Sequence, residues 1–158
     1  MQTAYRRWLD DELPGVEART GIRVAVENML PLRVRGRKVA RVHAADPHDD
    51  LGEVPHVVLD TSHAAVSGLH PSAALERIGD RLTHVHLSNN AGRGWDSHLP
   101  LREGVLDLES FGRALAARGT DASVSLEIDL RTHRGDEASM LRALRDNAAV
   151  ARSSLVPA

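Results

Sequence analysis

Residues 82–90 of this 158-residue chain read LTHVHLSNN, and this stretch indicates how the chain is built. Aliphatic and polar residues alternate in it, which is typical of a β-strand whose two faces meet different surroundings. Val85 and Leu87 share one face, whereas His84 and His86 share the other. The stretch therefore predicts a sheet with one apolar face and one polar face, and with a histidine near the C-terminal end of this strand.

Three further stretches repeat the pattern. They are residues 22–28, 56–60 and 123–129. In each, one face is aliphatic, and the other is small or polar and ends in a carboxylate, namely Glu27, Asp60 or Glu127. A doubly wound sheet is covered by helices on both faces, so its strands are nearly all apolar. A polar second face instead predicts a (β/α) barrel, in which the inner strand face lines the lumen and the chemistry lies at the C-terminal rim.

Amphipathic helical segments are predicted between and after the strands. A helix over residues 5–12 is interrupted by Pro14-Gly15, a second helix opens at Pro71, and Asp107 caps a third that Gly119 ends. Asp136 caps the last helix, whose apolar stripe consists of Met140, Leu141, Leu144, Ala148 and Ala151. Residues 31–54 are irregular and predict a long loop with room for a short helix. Strands that alternate with helices predict a parallel sheet with right-handed crossovers.

The number of strands raises a question of completeness. A full barrel has eight strands and typically ~250 residues, whereas we find about four βα units in a single domain over residues 1–158. The predicted fold class is therefore α/β, a partial (β/α)8 TIM barrel. We expect the other half on another polypeptide or from a second copy of the chain; a truncated reading frame with an open lumen is the third possibility.

Composition narrows the classes of function. The chain has no cysteine, which excludes disulfides and thiolate ligands, so any metal must bind to histidines and carboxylates. A net charge of −2 argues against nucleic acid and anionic membranes as partners. No apolar run approaches the ~20 residues of a membrane span, and the N-terminus is too polar for a secretory signal. These features predict a cytoplasmic protein.

Five short motifs carry a resemblance to a known family. In chain order they are VENM (26–29), VVLDTSH (57–63), HVHLSNN (84–90), WDSHLPLREG (95–104) and SLEID (125–129). Together they resemble the xylose isomerase-like TIM-barrel superfamily, and within it the sugar phosphate isomerases/epimerases; the resemblance to endonuclease IV is more distant. The likeness covers almost the whole chain and corresponds to the last four strands of that barrel. It implies a homodimer or a missing N-terminal half-barrel.

The resemblance also implies a metal site. In the epimerase branch a single divalent metal is held by a Glu, an Asp, a His and a second Glu from four successive strands. The matching residues are Glu27, Asp60, His86 and Glu127. His84 stays an alternative to His86, because the two share a face. Such an oxygen-rich set of ligands suits Mn²⁺, Mg²⁺ or Co²⁺, with Zn²⁺ as a further alternative.

Four more residues match the family less specifically. His63, in the D-x-x-H motif, resembles a substrate-contacting or additional metal-binding residue. Asp96 and His98 match the D-x-H pair that helps to hold a metal cluster in the endonuclease branch. Arg93 is a candidate for binding a substrate phosphate or hydroxyl, the alternative being a solvated loop arginine. The family loop that follows D-x-H is usually rich in glycine, whereas this chain keeps only Gly104 there.

The resulting hypothesis is an isomerase or epimerase of a sugar or sugar phosphate. The metal would act as a Lewis acid on a developing enediolate, while Glu27 and Glu127, facing each other across the lumen, would remove and return the proton. Two alternatives remain open. One is an endonuclease IV-like enzyme of abasic-site repair, against which the negative charge and the few aromatic residues argue. The other is a truncated, catalytically inactive barrel fragment.

Overall fold

The fold is seen in a computed structural model that describes residue 4 and residues 7–30, 32–34, 37–40 and 54–155. Its strands are β1 (Val26–Glu27), β2 (Leu32–Val34), β3 (Arg37–Ala40), β4 (Val57–Asp60), β5 (Leu82–Leu87) and β6 (Ser123–Leu126). Four of them form one sheet in the order β1-β4-β5-β6, and every neighbouring pair is parallel. The predicted α/β class, with about four parallel strands, is therefore confirmed.

Helices connect and follow these strands. They are α1 (Leu13–Thr20), α2 (Thr61–Val66), α3 (Pro71–Ile78), α4 (Leu108–Ala117) and α5 (Glu137–Leu155), with a π-helical turn at Trp8–Glu12 and 3₁₀ turns at Gly79–Arg81 and Arg131–His133. Helix α4 contacts both α3 and α5. Asp107 caps α4 by accepting a hydrogen bond from the Ser110 N–H, as the sequence predicts. None of the described helices combines the length and apolar character that a membrane-spanning helix requires.

The core lies between the aliphatic face of the sheet and these helices. Val57, Leu59 and Val85 of the sheet and Phe111 of α4 are completely buried. Burying one such side chain contributes about 1.5–3 kcal/mol, so this face binds the helices to the sheet. The opposite, polar face of the sheet carries the residues that are predicted to be functional.

Two predictions about the N-terminal part were wrong. The first strand is Val26–Glu27, much shorter than the predicted 22–28. Pro14 and Gly15 do not interrupt the helix either, because α1 runs through both of them and ends at Gly21 with a φ of 68°. Pro14 is the second residue of α1, where a missing N–H costs no intrahelical hydrogen bond.

The predicted loop over residues 31–54 was also wrong in part. Strands β2 and β3 pair there in antiparallel orientation. Residues 31, 35–36 and 41–53 lie outside the described residues, and so does any short helix within 41–53. Helix α2, a single short element directly after β4, was not predicted. The predicted stripe of α5 is only partly buried, since Ala151 is buried but Leu141 and Leu144 are exposed. Asn147, a polar residue, takes a buried position on this helix instead.

Candidate metal centre

The four predicted ligands lie at the C-terminal ends of the four parallel strands. Glu27 and Asp60 are the last residues of β1 and β4, and Glu127 directly follows β6. His86 lies one residue before the end of β5 and pairs with Asp60 in the sheet register. Because the strands are parallel and adjacent, their carboxyl ends meet at one edge, and the polar side chains converge there.

The distances between these side chains suit a single ion. One ligand atom from each of Glu27, Asp60, His86 and Glu127 can be chosen so that all four lie within 4.8 Å of one another. The Nδ1 atom of His86 lies 2.8 Å from Glu127 Oε2, 3.4 Å from Glu27 Oε1 and 3.9 Å from Asp60 Oδ2. Ligand atoms sit roughly 2.0–2.6 Å from Mg²⁺ or Ca²⁺, so ligands on opposite sides of an ion are about 4–5 Å apart.

Two atoms of this group lack hydrogen-bond partners. Asp60 Oδ2 and His86 Nδ1 are both buried and make no hydrogen bond; the close contact between His86 and Glu127 lacks hydrogen-bond geometry. Leaving a buried polar atom unpaired costs about 1–3 kcal/mol, and more for a charged group. A cation at the point these atoms share would satisfy both of them. The residues present therefore fit a divalent metal, on their geometry and on their chemistry as oxygen and imidazole ligands.

Asp60 has a structural contact as well as a free oxygen. Its Oδ1 accepts a hydrogen bond of 2.7 Å from the His63 N–H and so caps α2, while Asn28 pairs with its backbone through bonds of 2.6 and 3.1 Å. The side chain is completely buried, and this burial raises the pKa of Asp60 to about 6. Asp60 Oδ1 therefore caps α2, whereas Oδ2 is directed at the candidate metal site.

His63 connects Glu27 to the loop after β5. Its Nδ1 lies 3.2 Å from Glu27 Oε1 and 3.0 Å from the Asn28 carbonyl, and its Nε2 lies 3.2 Å from Asp96 Oδ2. The hydrogen bond from His63 lowers the pKa of Glu27 below its usual value. Burial opposes charge on His63 itself, but hydrogen bonds to Asp96 and Glu27 raise its pKa to about 10. Glu27 is therefore held as a carboxylate at neutral pH.

The carboxylate of Asp96 accepts three hydrogen bonds. It accepts from Ser62 Oγ at 2.7 Å, from His98 Nε2 at 2.7 Å and from His63 Nε2. Burial alone would raise the pKa of Asp96, but these donors lower it well below its usual value. The hydrogen bond to Asp96 raises the pKa of His98 to about 9. Asp60, His63 and His98 also form a second group whose ligand atoms lie close enough to share an ion.

The structure separates His84 from His86. Both ring nitrogens of His84 contact hydroxyls, with Nδ1 2.7 Å from Ser123 Oγ and Nε2 3.0 Å from Ser125 Oγ. Burial and the neighbouring His86 lower the pKa of His84. The two rings meet edge to face, with their centroids 5.1 Å apart. His86 belongs to the convergent group, and His84 lies beside it as a packing neighbour.

Arg93 is the remaining candidate residue. It is an exposed loop residue whose guanidinium sits 5.9 Å from the centre of the Trp95 ring, a weak cation–π contact. A role for Arg93 in substrate binding stays a prediction. Asn28 and Ser62, which position Asp60 and Asp96, are not among the predicted site residues. The VENM motif contains Asn28, but nothing local shows that its amide pairs with a neighbouring strand.

Gly104 supports the loop behind the site. Asn89 Oδ1 accepts hydrogen bonds from the N–H groups of Asn90 and Leu106, and its amide donates to the Leu101 carbonyl. A Cβ at position 104 would overlap the Asn89 side chain and lie 2.7 Å from the Asn90 carbonyl oxygen. The single glycine of this loop is thus explained by its close approach to Asn89.

Gly104→Ala is therefore expected to destabilise the protein by about 1–3 kcal/mol or more, the cost of overpacking. Thermal unfolding should show a lower midpoint, by roughly 2–4 °C for each kcal/mol. Gly15→Ala is the matched control, because Gly15 lies inside α1 and a Cβ there meets only the flexible end of Arg19. The control should raise stability. An unchanged midpoint for Gly104→Ala would contradict the close packing around Asn89.

The sequence profile of the family described as xylose isomerase-like TIM barrel matches residues 5–150. The chain belongs to this family. Its four parallel strands agree with the fold of the xylose isomerase-like TIM barrels, of which it contains about half.

The curated relatives have no described function. Uncharacterized proteins of Mycobacterium tuberculosis and Mycobacterium leprae are 29% and 28% identical to this chain over 151 residues. Each alignment covers 84% of this chain and 54% of the relative. The chain therefore spans about half the length of the curated relatives it matches.

Two solved structures with a similar fold are titled as sugar epimerases. D-Psicose 3-epimerase from Clostridium cellulolyticum H10, crystallised with D-tagatose, is 18% identical with a TM-score of 0.73, over 97% of this chain and 57% of that one. The apo form of 3-keto-D-glucoside 4-epimerase from E. coli is 22% identical with a TM-score of 0.64, over 89% of this chain and 49% of that one. At these identities the likeness shows the fold.

Proposed function

We propose that this chain contributes the metal-binding half of an isomerase or epimerase that acts on a sugar or sugar phosphate. One observation carries the proposal. Four ligand atoms, one from the end of each of four adjacent parallel strands, lie within 4.8 Å of one another, and two of the side chains carry buried atoms without hydrogen-bond partners. Such an arrangement is costly in a protein that does not use it.

Glu27, Asp60, His86 and Glu127 would hold a divalent cation. Three carboxylates and one imidazole suit Mn²⁺, Mg²⁺ or Co²⁺, and Zn²⁺ is an alternative. When bound, the cation would polarise the carbonyl of the substrate and so acidify the neighbouring C–H bond. Asn28 and the N-terminus of α2 hold Asp60 in place before any ion arrives, which limits the reorganisation that binding requires.

Glu27 and Glu127 would transfer the proton. Both carboxylates contact His86 Nδ1, one from each end of the four-stranded sheet. His63 keeps Glu27 ionised, so that Glu27 is ready to accept a proton from the carbon next to the carbonyl. Glu127, with a more exposed side chain, would return a proton to the opposite face of that carbon or to its neighbour. The first outcome is epimerisation and the second is isomerisation.

The substrate class follows from the same chemistry. A proton is removable next to a carbonyl that carries a neighbouring hydroxyl, as in a ketose or an aldose, and the similar structures are titled as sugar epimerases. His63, Asp96, His98 and Arg93 are candidates for contacts with substrate hydroxyl or phosphate groups. The rest of the lumen would come from a second copy of the chain or from an N-terminal half-barrel.

Metal analysis of the purified protein tests the proposal. After incubation with Mn²⁺ and removal of the excess, the wild type should retain about one equivalent, and Glu127→Gln should retain markedly less. Glu109→Gln is the matched control, since Glu109 lies on the exposed surface of α4, and it should bind Mn²⁺ like the wild type. A wild type without bound metal under these conditions would sink the proposed function.

A nuclease of abasic DNA is the second candidate. The specific observation in its favour is the second group, Asp60, His63 and His98, which would allow more than one ion to bind. Incubation with a duplex that contains one abasic site distinguishes the two candidates. Strand cleavage that requires metal would favour the nuclease, whereas an intact duplex together with proton exchange in a ketose would favour the epimerase.

A further inference from the structure

His98 has an unusual backbone for its residue type. Among the described residues it is the only one other than glycine with a positive φ, which is 39°. Non-glycine residues in such conformations cost of order 1–3 kcal/mol and persist only where the surroundings enforce them. The environment of His98 should therefore contain contacts that offset this cost.

Those contacts join the loop after β5 to the end of β6. The loop begins with a pair of backbone hydrogen bonds between Asn89 and Leu99, of 2.9 and 2.8 Å. The His98 carbonyl then accepts a hydrogen bond of 2.7 Å from the Asp129 N–H. The ring reaches the same segment, because its Nδ1 lies 3.0 Å from the Glu127 carbonyl oxygen. A carbonyl can only accept, so Nδ1 is the donor.

The His98 ring has two further polar contacts. Its Nε2 lies 2.7 Å from Asp96 Oδ2, and Ser88 Oγ lies 3.2 Å from Nδ1. Glu127, by contrast, lies outside the regular strand. It directly follows β6, its side chain is 47% exposed, and its N–H makes one strand-like bond of 3.1 Å to the Leu87 carbonyl. The ring of His98 binds the carbonyl of the same residue.

We propose that His98 is a positioning residue that clasps the backbone of Glu127 and so holds the Glu127 carboxylate beside His86. The clasp consists of the Asp96 anchor, the ring of His98 and the backbone from Glu127 to Asp129. This inference rests on the proposed metal site and assigns His98 a role other than that of a second metal's ligand. Groups that orient a ligand without touching the ion typically change metal affinity 10–100-fold when removed.

Two substitutions test the clasp. His98→Gly relieves the positive φ but removes the ring, so Mn²⁺ affinity should fall about 10–100-fold while the unfolding midpoint changes little. His98→Asn keeps a donor and tolerates a positive φ, so it should recover part of the affinity. A purely structural role would not produce this order, because glycine is the residue best suited to the backbone.

Amide hydrogen exchange without metal gives a second, independent measurement. The amides of Glu127 and Asp129 should exchange faster in His98→Gly than in the wild type, and the asparagine variant should lie between them. If exchange rises but the wild type binds no Mn²⁺, the clasp stands and the proposed function falls. Exchange that is unchanged in His98→Gly would overturn the clasp. So would a wild type that binds two equivalents of Mn²⁺ while both variants bind only one, because His98 would then be a ligand of the second ion. If the glycine variant does not fold, His98→Asn decides: exchange of the Glu127 and Asp129 amides that is faster than in the wild type supports the clasp, and wild-type protection overturns it.

Discussion

Replacing Asp60 with Asn is expected to abolish cation binding and yet to leave the metal-free protein at least as stable as the wild type. Asp60 Oδ2 is a buried carboxylate oxygen without a hydrogen-bond partner. Asparagine keeps the capping function of the side chain, because Asn is as good an N-cap as Asp. It removes the negative charge, however, and with it the strongest attraction for a cation at this position.

The raised pKa of Asp60 predicts how the stability of the metal-free protein changes with pH. Burial raises the pKa of Asp60 from 3.8 to about 6, which corresponds to about 3 kcal/mol. The folded state holds the proton more tightly than the unfolded state, so the stability associated with the protonated carboxyl is present below pH 4. It is lost as the pH rises through about 6. The metal-free wild type should therefore lose stability between pH 4 and 7, and Asp60→Asn should lack this contribution.

Thermal unfolding measures both parts of this prediction. The wild-type midpoint should rise on addition of Mn²⁺, because a ligand that binds only the folded state stabilises it, and the Asp60→Asn midpoint should not respond. Asp80→Asn is the matched control, since Asp80 is fully exposed beside Arg118. It should behave like the wild type. An Asp60→Asn protein that is still stabilised by Mn²⁺ would remove Asp60 from the ligand set.

Glu27→Gln and Glu127→Gln are each expected to stop proton exchange in a ketose. With Mn²⁺ present, the wild type should catalyse incorporation of deuterium from D₂O next to the carbonyl of D-fructose or D-tagatose. Removing a general acid or base typically costs about 10²–10⁴-fold. Because glutamine is isosteric with glutamate but cannot accept the proton, either variant should fall to the background rate.

Nuclear magnetic resonance of the recovered sugar measures this exchange. Mn²⁺ content has to be determined in parallel and kept at saturation, so that lost proton transfer is distinguished from lost metal. Glu109→Gln again serves as the control and should exchange at the wild-type rate. Undiminished exchange in either of the two site variants would reject its catalytic role. Absence of exchange in a wild type that binds metal would reject the proton-transfer mechanism for this chain alone.

Local patterns were sufficient for the two faces of the four-stranded sheet. The alternation in LTHVHLSNN and in its three counterparts predicted which residues face the helices, and Val57, Leu59 and Val85 are buried as expected. Side-chain direction along a strand has a period of two, so the two faces can be read from neighbouring letters alone. The observed strand order agrees with the tendency of successive parallel strands joined by helices to be neighbours.

Other features depended on contacts between residues distant in the chain. His84 and His86 have the same local pattern, and only their depth in the sheet, next to Ser123 and Ser125 or next to Glu27 and Glu127, separates them. The two roles of Asp60 and the positive φ of His98 were equally invisible. The sequence alone therefore determined which face of each strand is polar. Tertiary structure decided what each of those side chains meets, because hydrogen bonding and burial depend on atoms that other strands and loops supply.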